Sequence, residues 1–371
     1  MSPPLYVTRP LLPDIKRLIP YLEDIWNSGI VTNVGPFHQE LEHALEAHLR
    51  APCVKLFNNG TVALLVALKM MNLRIGSEVI TTPLTFAATA HSVAWNGLRP
   101  VFVDVDQETL TIDPAAVERA ISPRTSAILA VHVYGVVCDV GGLQDVANRH
   151  GLRLIYDAAH AFGTTLNGLP IGVFGDASVF SFHATKLFNT LEGGAITSGR
   201  ADYKDKISHL RNFGIKNEEE VVDIGINGKM NEIQAVMGIL NLSDIESERK
   251  HRRRIREKYN DFLGGMHGIR VPPRQPGVLN SEQYYHVVID PIKFGRSRDD
   301  IYLELKRKNI FARKYFHPIC TDFEPYKGYV IHSIRRTPYV EEVKSRVLCL
   351  PFHSGVTDEH LQSIYETFRA R

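Results

Sequence analysis

The chain has 371 residues, 44% hydrophobic and 23% charged, too many for one typical domain, enough for two, and too apolar for wholesale disorder. Its 43 basic and 41 acidic side chains leave a net charge of +2, which gives no reason to expect a polyanionic partner such as nucleic acid. No apolar run approaches the ~18 residues that span a bilayer, and Met1–Tyr6 lack a charged and then apolar leader, so no membrane is involved and a soluble, cytoplasmic protein is expected.

The first 50 or so residues read as two helical stretches joined by Ser28–Pro36, a loop punctuated by Gly29, Gly35 and Pro36. Short apolar, β-branched runs follow at Val54–Phe57, Glu78–Thr81, Pro100–Val105, Ala127–Val133, Leu152–Tyr156, Ala177–Phe182 and Ala195–Thr197. Helix-like segments lie between many of them, at Thr61–Met71, Asp113–Ile121 and Gly141–His150. Such alternation predicts an α/β fold, a mostly parallel seven-stranded sheet flanked by helices. Met230–Glu257 reads as one long helix. Past it a smaller C-terminal α+β domain is expected, with strands at Tyr284–Ile289 and Ile310–Tyr315 and helices at Arg298–Lys308 and Asp358–Arg369. The division is set at 1–245 for the large domain, including the N-terminal helical segment, and 246–371 for the small one. The basic run Arg249–Arg256 is expected to be a solvated helix face, the alternative being an anion site beside a cleft. Cys53, Cys138, Cys320 and Cys349 are widely spaced without a CxxC pattern, which predicts reduced, mostly buried thiols and no metal site.

In α/β sheets of this kind ligands gather at the C-terminal strand ends. Asn58–Thr61, Asp157 and Ser181–Lys186 each follow a predicted strand, so all three can share one rim. A lysine forms a Schiff base with an aldehyde, and a carboxylate keeps a basic ring nitrogen protonated. Lys186 with Asp157 therefore points to pyridoxal 5'-phosphate (PLP). Gly60 and Thr61 open an apolar helix, whose free N–H groups suit a phosphate; an ordinary N-cap uses the same residue types. Phe86 after a strand end can stack on a planar ring or be a plain core residue. Asp157 can also be read as a helix N-cap. The Ser181 hydroxyl can reach the same phosphate, and Gly193-Gly194 let the backbone pass close by.

The ordered set Thr32–Pro36, Asn59–Leu64, Thr82–Phe86, Pro100–Val105, Val133–Gly135, Asp157–His160, Ser181–Lys186, Glu192–Gly194, Gly225–Met230 and Leu350–His353 resembles the PLP-dependent sugar aminotransferases of the DegT/DnrJ/StrS type. That family has the aspartate aminotransferase-like fold. The resemblance implies that Lys186 holds the cofactor and then shuttles the proton, and that Asp157 pairs with the pyridine nitrogen. It puts His160 near the ring oxygen, Phe86 on the ring, and Gly60, Thr61 and Ser181 at the phosphate. Asn227 matches an asparagine that reaches the neighbouring subunit's cofactor, which implies a homodimer with shared sites; Gly228 and Lys229 depart from the Arg or Tyr common there. His183, Tyr315 and His317 are placed toward the sugar. Lys186 argues against the branch that carries histidine at this position and dehydrates its sugar. The wording around Lys186 is most like that of enzymes aminating a 4-keto-6-deoxy sugar. The implied reaction uses L-glutamate and a nucleotide-linked keto sugar, dTDP-4-keto-6-deoxy-D-glucose being favoured, with pyridoxamine phosphate (PMP) formed between the two halves. Alternatives are a 3-aminotransferase, an enzyme for GDP- or UDP-linked sugars, and a non-catalytic regulator that binds the same ligands.

Overall fold

The computed structural model describes residues 3–327 and 337–370. Seven strands form the large sheet: β1 (Cys53–Phe57), β2 (Glu78–Thr81), β3 (Arg99–Phe102), β4 (Thr125–Val131), β5 (Arg153–Asp157), β6 (Ala177–Ser181) and β7 (Gly194–Ser198). Their spatial order is β1-β7-β6-β5-β4-β2-β3, with every pair from β6 to β3 parallel. The expected mostly parallel sheet is borne out. What periodicity did not reveal is that β7 runs antiparallel to both neighbours, β6 and β1. Two reversals restore direction, so the C-terminal end of β1 lies on the same rim as those of β5 and β6.

Both faces of the sheet are covered, because side chains alternate across a strand and both sets are apolar. Ile128, Ala130, Leu154 and Tyr156 join one core with helix α2 (Pro36–Leu49); Ala127, Leu129 and Ile155 join another with α3 (Gly60–Met70). Ahead of α2, helix α1 (Ile15–Ser28) stops at Gly29, whose φ of 67° is left-handed and whose N–H returns to Ile25 O. The loop to Pro36 is present as expected.

One long helix, Glu232–Leu263, links the large sheet to a second core. It places Ala235 and Ile245 in the first cluster and Ile255, Tyr259 and Leu263 in a cluster over a small antiparallel sheet, Ile269–Arg270, Tyr285–Ile289 and Val347–Leu350. The strand expected over Ile310–Tyr315 is only Ile310–Phe311, paired in parallel with Leu5–Tyr6. Beyond it the chain turns toward the large sheet, and only Arg313 makes one more bridge, to Cys349. All four cysteines are buried and unpaired. Among the described residues no helix is long and apolar enough to cross a membrane.

The expectation of a solvated basic face needs correction. Arg249 and Arg252 are buried and Arg256 is half-buried, while Lys250, His251 and Arg254 are exposed. The run is helical, so positions three or four residues apart, Arg249, Arg252 and Arg256, turn inward. Arg252 meets Glu248 at 2.7 Å and Arg256 meets Glu282 at 2.6 Å.

A second buried ion cluster locks α2 to the sheet. The Glu42 carboxylate accepts from Lys55 Nζ at 2.8 Å, from Leu56 N at 3.0 Å and from Arg211, itself donating to Leu56 O. Burial alone would raise its pKa, but the His38 hydrogen bond and the Arg211 and Lys55 charges hold it well below the ordinary 4.5. A depressed carboxyl pKa stabilises the fold fully above 4.5, and that contribution is lost as pH falls toward the folded value. Glu42→Ala leaves the Arg211 guanidinium buried without its carboxylate. It is expected to cost about 3–5 kcal/mol, read as a lower urea midpoint at pH 7. An unchanged midpoint rules this role out.

Candidate active site

The rim of the sheet opens into a cleft of about 810 Å³ bordered by Asn58–Val62, Thr85, Phe86, Asp157, His160, Ser181, His183, Lys186, Glu192, Tyr284, Arg313, Tyr315 and Phe316, among others. The three rim segments singled out in the sequence converge there. The reason is register: Asp157, the last residue of β5, sits between Val131 of β4 and Val179 of β6.

Asp157 is buried and does not cap a helix. Its Oδ2 accepts from Thr89 Oγ1 at 2.7 Å and its Oδ1 from Ala159 N at 3.1 Å. Thr89 shares a second hydrogen bond with Thr85 at 2.8 Å. Burial raises the Asp157 pKa, while Thr89, Ala159 and the charge of Lys186 oppose it. Both hydrogen-bond donors are neutral, so a cation against this carboxylate lowers its energy.

Lys186 lies in an irregular turn beyond β6, its N–H bonded to His183 O at 2.8 Å. Its Nζ stands 5.8 Å from the centre of the Tyr284 ring. Burial pushes the ammonium down to about 8, and Asp157 pulls in the other direction. The amine is therefore substantially neutral just above pH 8, as a nucleophile or base must be.

His160 is buried, and its Nδ1 accepts from Tyr134 N at 3.1 Å. Burial and the Lys186 charge push its pKa well below the ordinary value, so the ring is neutral with its proton on Nε2. Phe316 stacks beside it at 5.9 Å.

The corner opposite Asp157 is made by β1, α3 and β6. Asn59 caps α3, its Oδ1 accepting from Val62 N at 2.8 Å. The capping side chain is thus Asn59, and Gly60 and Thr61 of the first turn border the cleft. Like every helix start, this turn presents N–H groups with no intrahelical acceptor and a positive dipole end, which suit an anion. Space is tight here: a Cβ on Gly60 would lie 2.9 Å from Ser181 Cβ, and one on Gly194 would lie 2.8 Å from the Gly60 backbone. Only glycine lets these strands bring Ser181 against the helix start.

Phe86 precedes α4 (Ala87–Trp95) and lines the cleft with 61% of its surface exposed, its ring 6.5 Å from Phe316. His183 lines it too, with Nδ1 2.8 Å from Thr185 Oγ1 and Nε2 3.4 Å from Glu192 Oε1. Tyr315 stacks on Phe316 at 5.1 Å. Two of the anticipated residues are not brought in. His317 is exposed and does not border the cleft, since the chain has already turned away at Phe316. Asn227 is exposed and outside its own cleft; only its carbonyl touches the rim, accepting from Asn58 Nδ2 at 3.5 Å.

Several contributors escaped the sequence reading. Thr89 is 68 residues from the carboxylate it serves. Tyr284, Arg313 and Phe316 come from the C-terminal part of the chain, where no local pattern points at Lys186. Arg313 is exposed on the cleft wall and makes no side-chain ion pair among the described residues.

Comparison with known proteins identifies the family and the fold. Residues 14–369 match the model of the DegT/DnrJ/EryC1/StrS aminotransferase family. The chain is 42% identical over 369 residues to a dTDP-4-amino-4,6-dideoxy-D-glucose transaminase of Shigella dysenteriae, covering 100% of this chain and 99% of the relative. It is 43% identical over 356 residues to a transaminase of the same description from Escherichia coli, covering 95% of each. Among solved structures, DesI in the presence of its TDP-sugar product superposes with a TM-score of 0.93 at 37% identity, covering 100% of this chain and 93% of that one.

Proposed function

Because the chain belongs to the DegT/DnrJ/EryC1/StrS aminotransferase family, we propose that it moves an amino group from L-glutamate to dTDP-4-keto-6-deoxy-D-glucose, giving dTDP-4-amino-4,6-dideoxy-D-glucose. The observation that carries the substrate is full-length likeness to two transaminases described by that amino sugar.

The donor set fits PLP. A buried carboxylate held by neutral donors suits a pyridinium, an amine lowered to about 8 suits an aldehyde, and a helix start beside a serine suits a phosphate. When bound, the cofactor would supply an electrophilic carbonyl and an electron-accepting ring able to hold the amino group between the two halves of a ping-pong cycle. Gly60, Thr61 and Ser181 would hold its phosphate, with Phe86 and His160 beside its ring. The Asp157 carboxylate would keep the proton on the ring nitrogen. Lys186 Nζ would accept the α-proton of glutamate as a base and return a proton, across the shared nitrogen, to the cofactor's carbonyl carbon as an acid, with the two roles exchanged in the second half. His183 and Tyr315 are positioned for the sugar, and Arg313 offers a cation to the anionic groups of either substrate.

The active form in this reading is a homodimer. Phe213, Val221, Val222 and Ile224 are exposed apolar residues on the segment that carries Asn227, which suits burial against a second copy. Asn227, outside its own cleft, is then available to the partner's.

Product analysis tests the reading. Purified protein with PLP, L-glutamate and dTDP-4-keto-6-deoxy-D-glucose is expected to give 2-oxoglutarate and the 4-amino product, identified by mass and NMR. An amino group at C3, or none despite 2-oxoglutarate release, rejects the sugar while keeping the aminotransferase.

A further inference from the structure

Lys186 sits in a stretch without helix or ladder, so the peptide groups around it need partners from elsewhere. One side chain provides them on both sides. Leu187 N donates to Gln283 Oε1 at 2.6 Å, and Gln283 Nε2 donates to Thr185 O at 3.1 Å. A single primary amide thus grips the peptides before and after Lys186. Gln283 is 2% exposed and lies 96 residues beyond Leu187 in the chain, next to Tyr284, whose ring meets the lysine.

Gln283 is itself held rigidly. Arg252, fully buried, donates to Glu282 O at 3.2 Å and Gln283 O at 3.4 Å, and its Nε pairs with Glu248 at 2.7 Å. Glu248 also accepts from Ser354 N at 3.2 Å. Arg249 Nη2 donates to Asn280 O at 2.9 Å, and Ser281 Oγ donates to His160 O at 2.6 Å. The buried half of the basic run therefore pins residues 280–283 to the long helix, and that strap reaches both Lys186 and His160.

We propose that Gln283 is a positioning residue for transamination, fixing the backbone from which Lys186 reaches its proton, and that Arg252 of the basic helix holds Gln283 in place. The proposal rests on the assignment of Lys186 as the proton carrier. A reacting group held loosely by about 1 Å loses on the order of 10²-fold in rate.

The test uses the PLP-loaded wild type, Gln283→Met, which keeps the length and loses both hydrogen bonds, and Gln283→Glu, whose carboxylate still accepts from Leu187 N but cannot donate to Thr185 O. Both variants are expected to bind PLP and to lose about 10- to 100-fold in kcat with KM for glutamate within about twofold of wild type. The pH midpoint of the bound cofactor's visible band should shift, because the reach of Lys186 changes; a merely structural role leaves kcat per cofactor-loaded site and that midpoint unchanged. Turnover within about twofold of wild type per loaded site overturns the proposal, as does a loss confined to KM. If Gln283→Met fails to fold, Gln283→Glu and the pH midpoint decide alone. A wild type that forms no borohydride-trappable bond at Lys186 points instead to failure of the underlying assignment.

Discussion

Lys186→Ala is expected to abolish transamination, with a loss of at least about 10³-fold, and to remove the visible band of the covalently held cofactor. Truncation deletes the amine that reaches the carbonyl and the base that moves the proton, and nothing nearby replaces it. His160 is neutral, but its Nδ1 already accepts from Tyr134 N, leaving only a proton donor on the other nitrogen. His183 Nδ1 is committed to Thr185. The fold should survive, because Lys186 makes no ion pair among the described residues and its backbone bonds persist. The measurement is steady-state turnover together with absorbance of the loaded protein and a thermal melt of both forms. Retention of turnover and of the band in a folded variant removes Lys186 from its role.

The second large effect is expected at Asp157→Asn. Asparagine keeps the shape and can still accept from Thr89 or Ala159, so the protein should fold and bind some cofactor. A neutral amide does not hold a proton on the ring nitrogen, so the ring no longer draws electrons, and turnover should fall by roughly 10²- to 10⁴-fold. A further sign follows from the electrostatics. Asp157 raises the pKa of Lys186 against the burial that lowers it to about 8. In the cofactor-free protein, removing that charge lets the amine pKa fall further, so the pH midpoint for modification of Lys186 by an amine-directed reagent should move to lower pH. Near wild-type turnover, or an amine midpoint displaced upward, contradicts the pairing.

The fold was largely readable from the chain because buried parallel strands leave a strong signal. Val54–Phe57, Leu152–Tyr156 and Ala177–Phe182 are continuous apolar runs, since both faces of each strand are covered. Strand direction at β7 was not readable, because a short apolar run looks the same whichever way it is traversed. The Ile310–Tyr315 run misled for a related reason: its ladder ends at Phe311, and Arg313 and Tyr315, with Phe316 after them, serve the cleft wall instead. The basic run misled because charge in a sequence does not say which side of a helix is buried or whether carboxylates and carbonyls wait there.

What the sequence by itself determined is the chemistry. A lysine, an aspartate, a glycine–threonine helix start and a serine, each at or just past the end of a strand, are fixed by local pattern, because strand ends lie on the rim of the sheet. What only the tertiary structure decided is how those groups are tuned and held. Thr89 on Asp157, Tyr284 beside the amine and Gln283 across the Lys186 peptides come from 68 to 98 residues away in the chain. Their effects on proton affinity and position arise from burial and hydrogen bonds at distances near 3 Å, and no spacing along the chain encodes these.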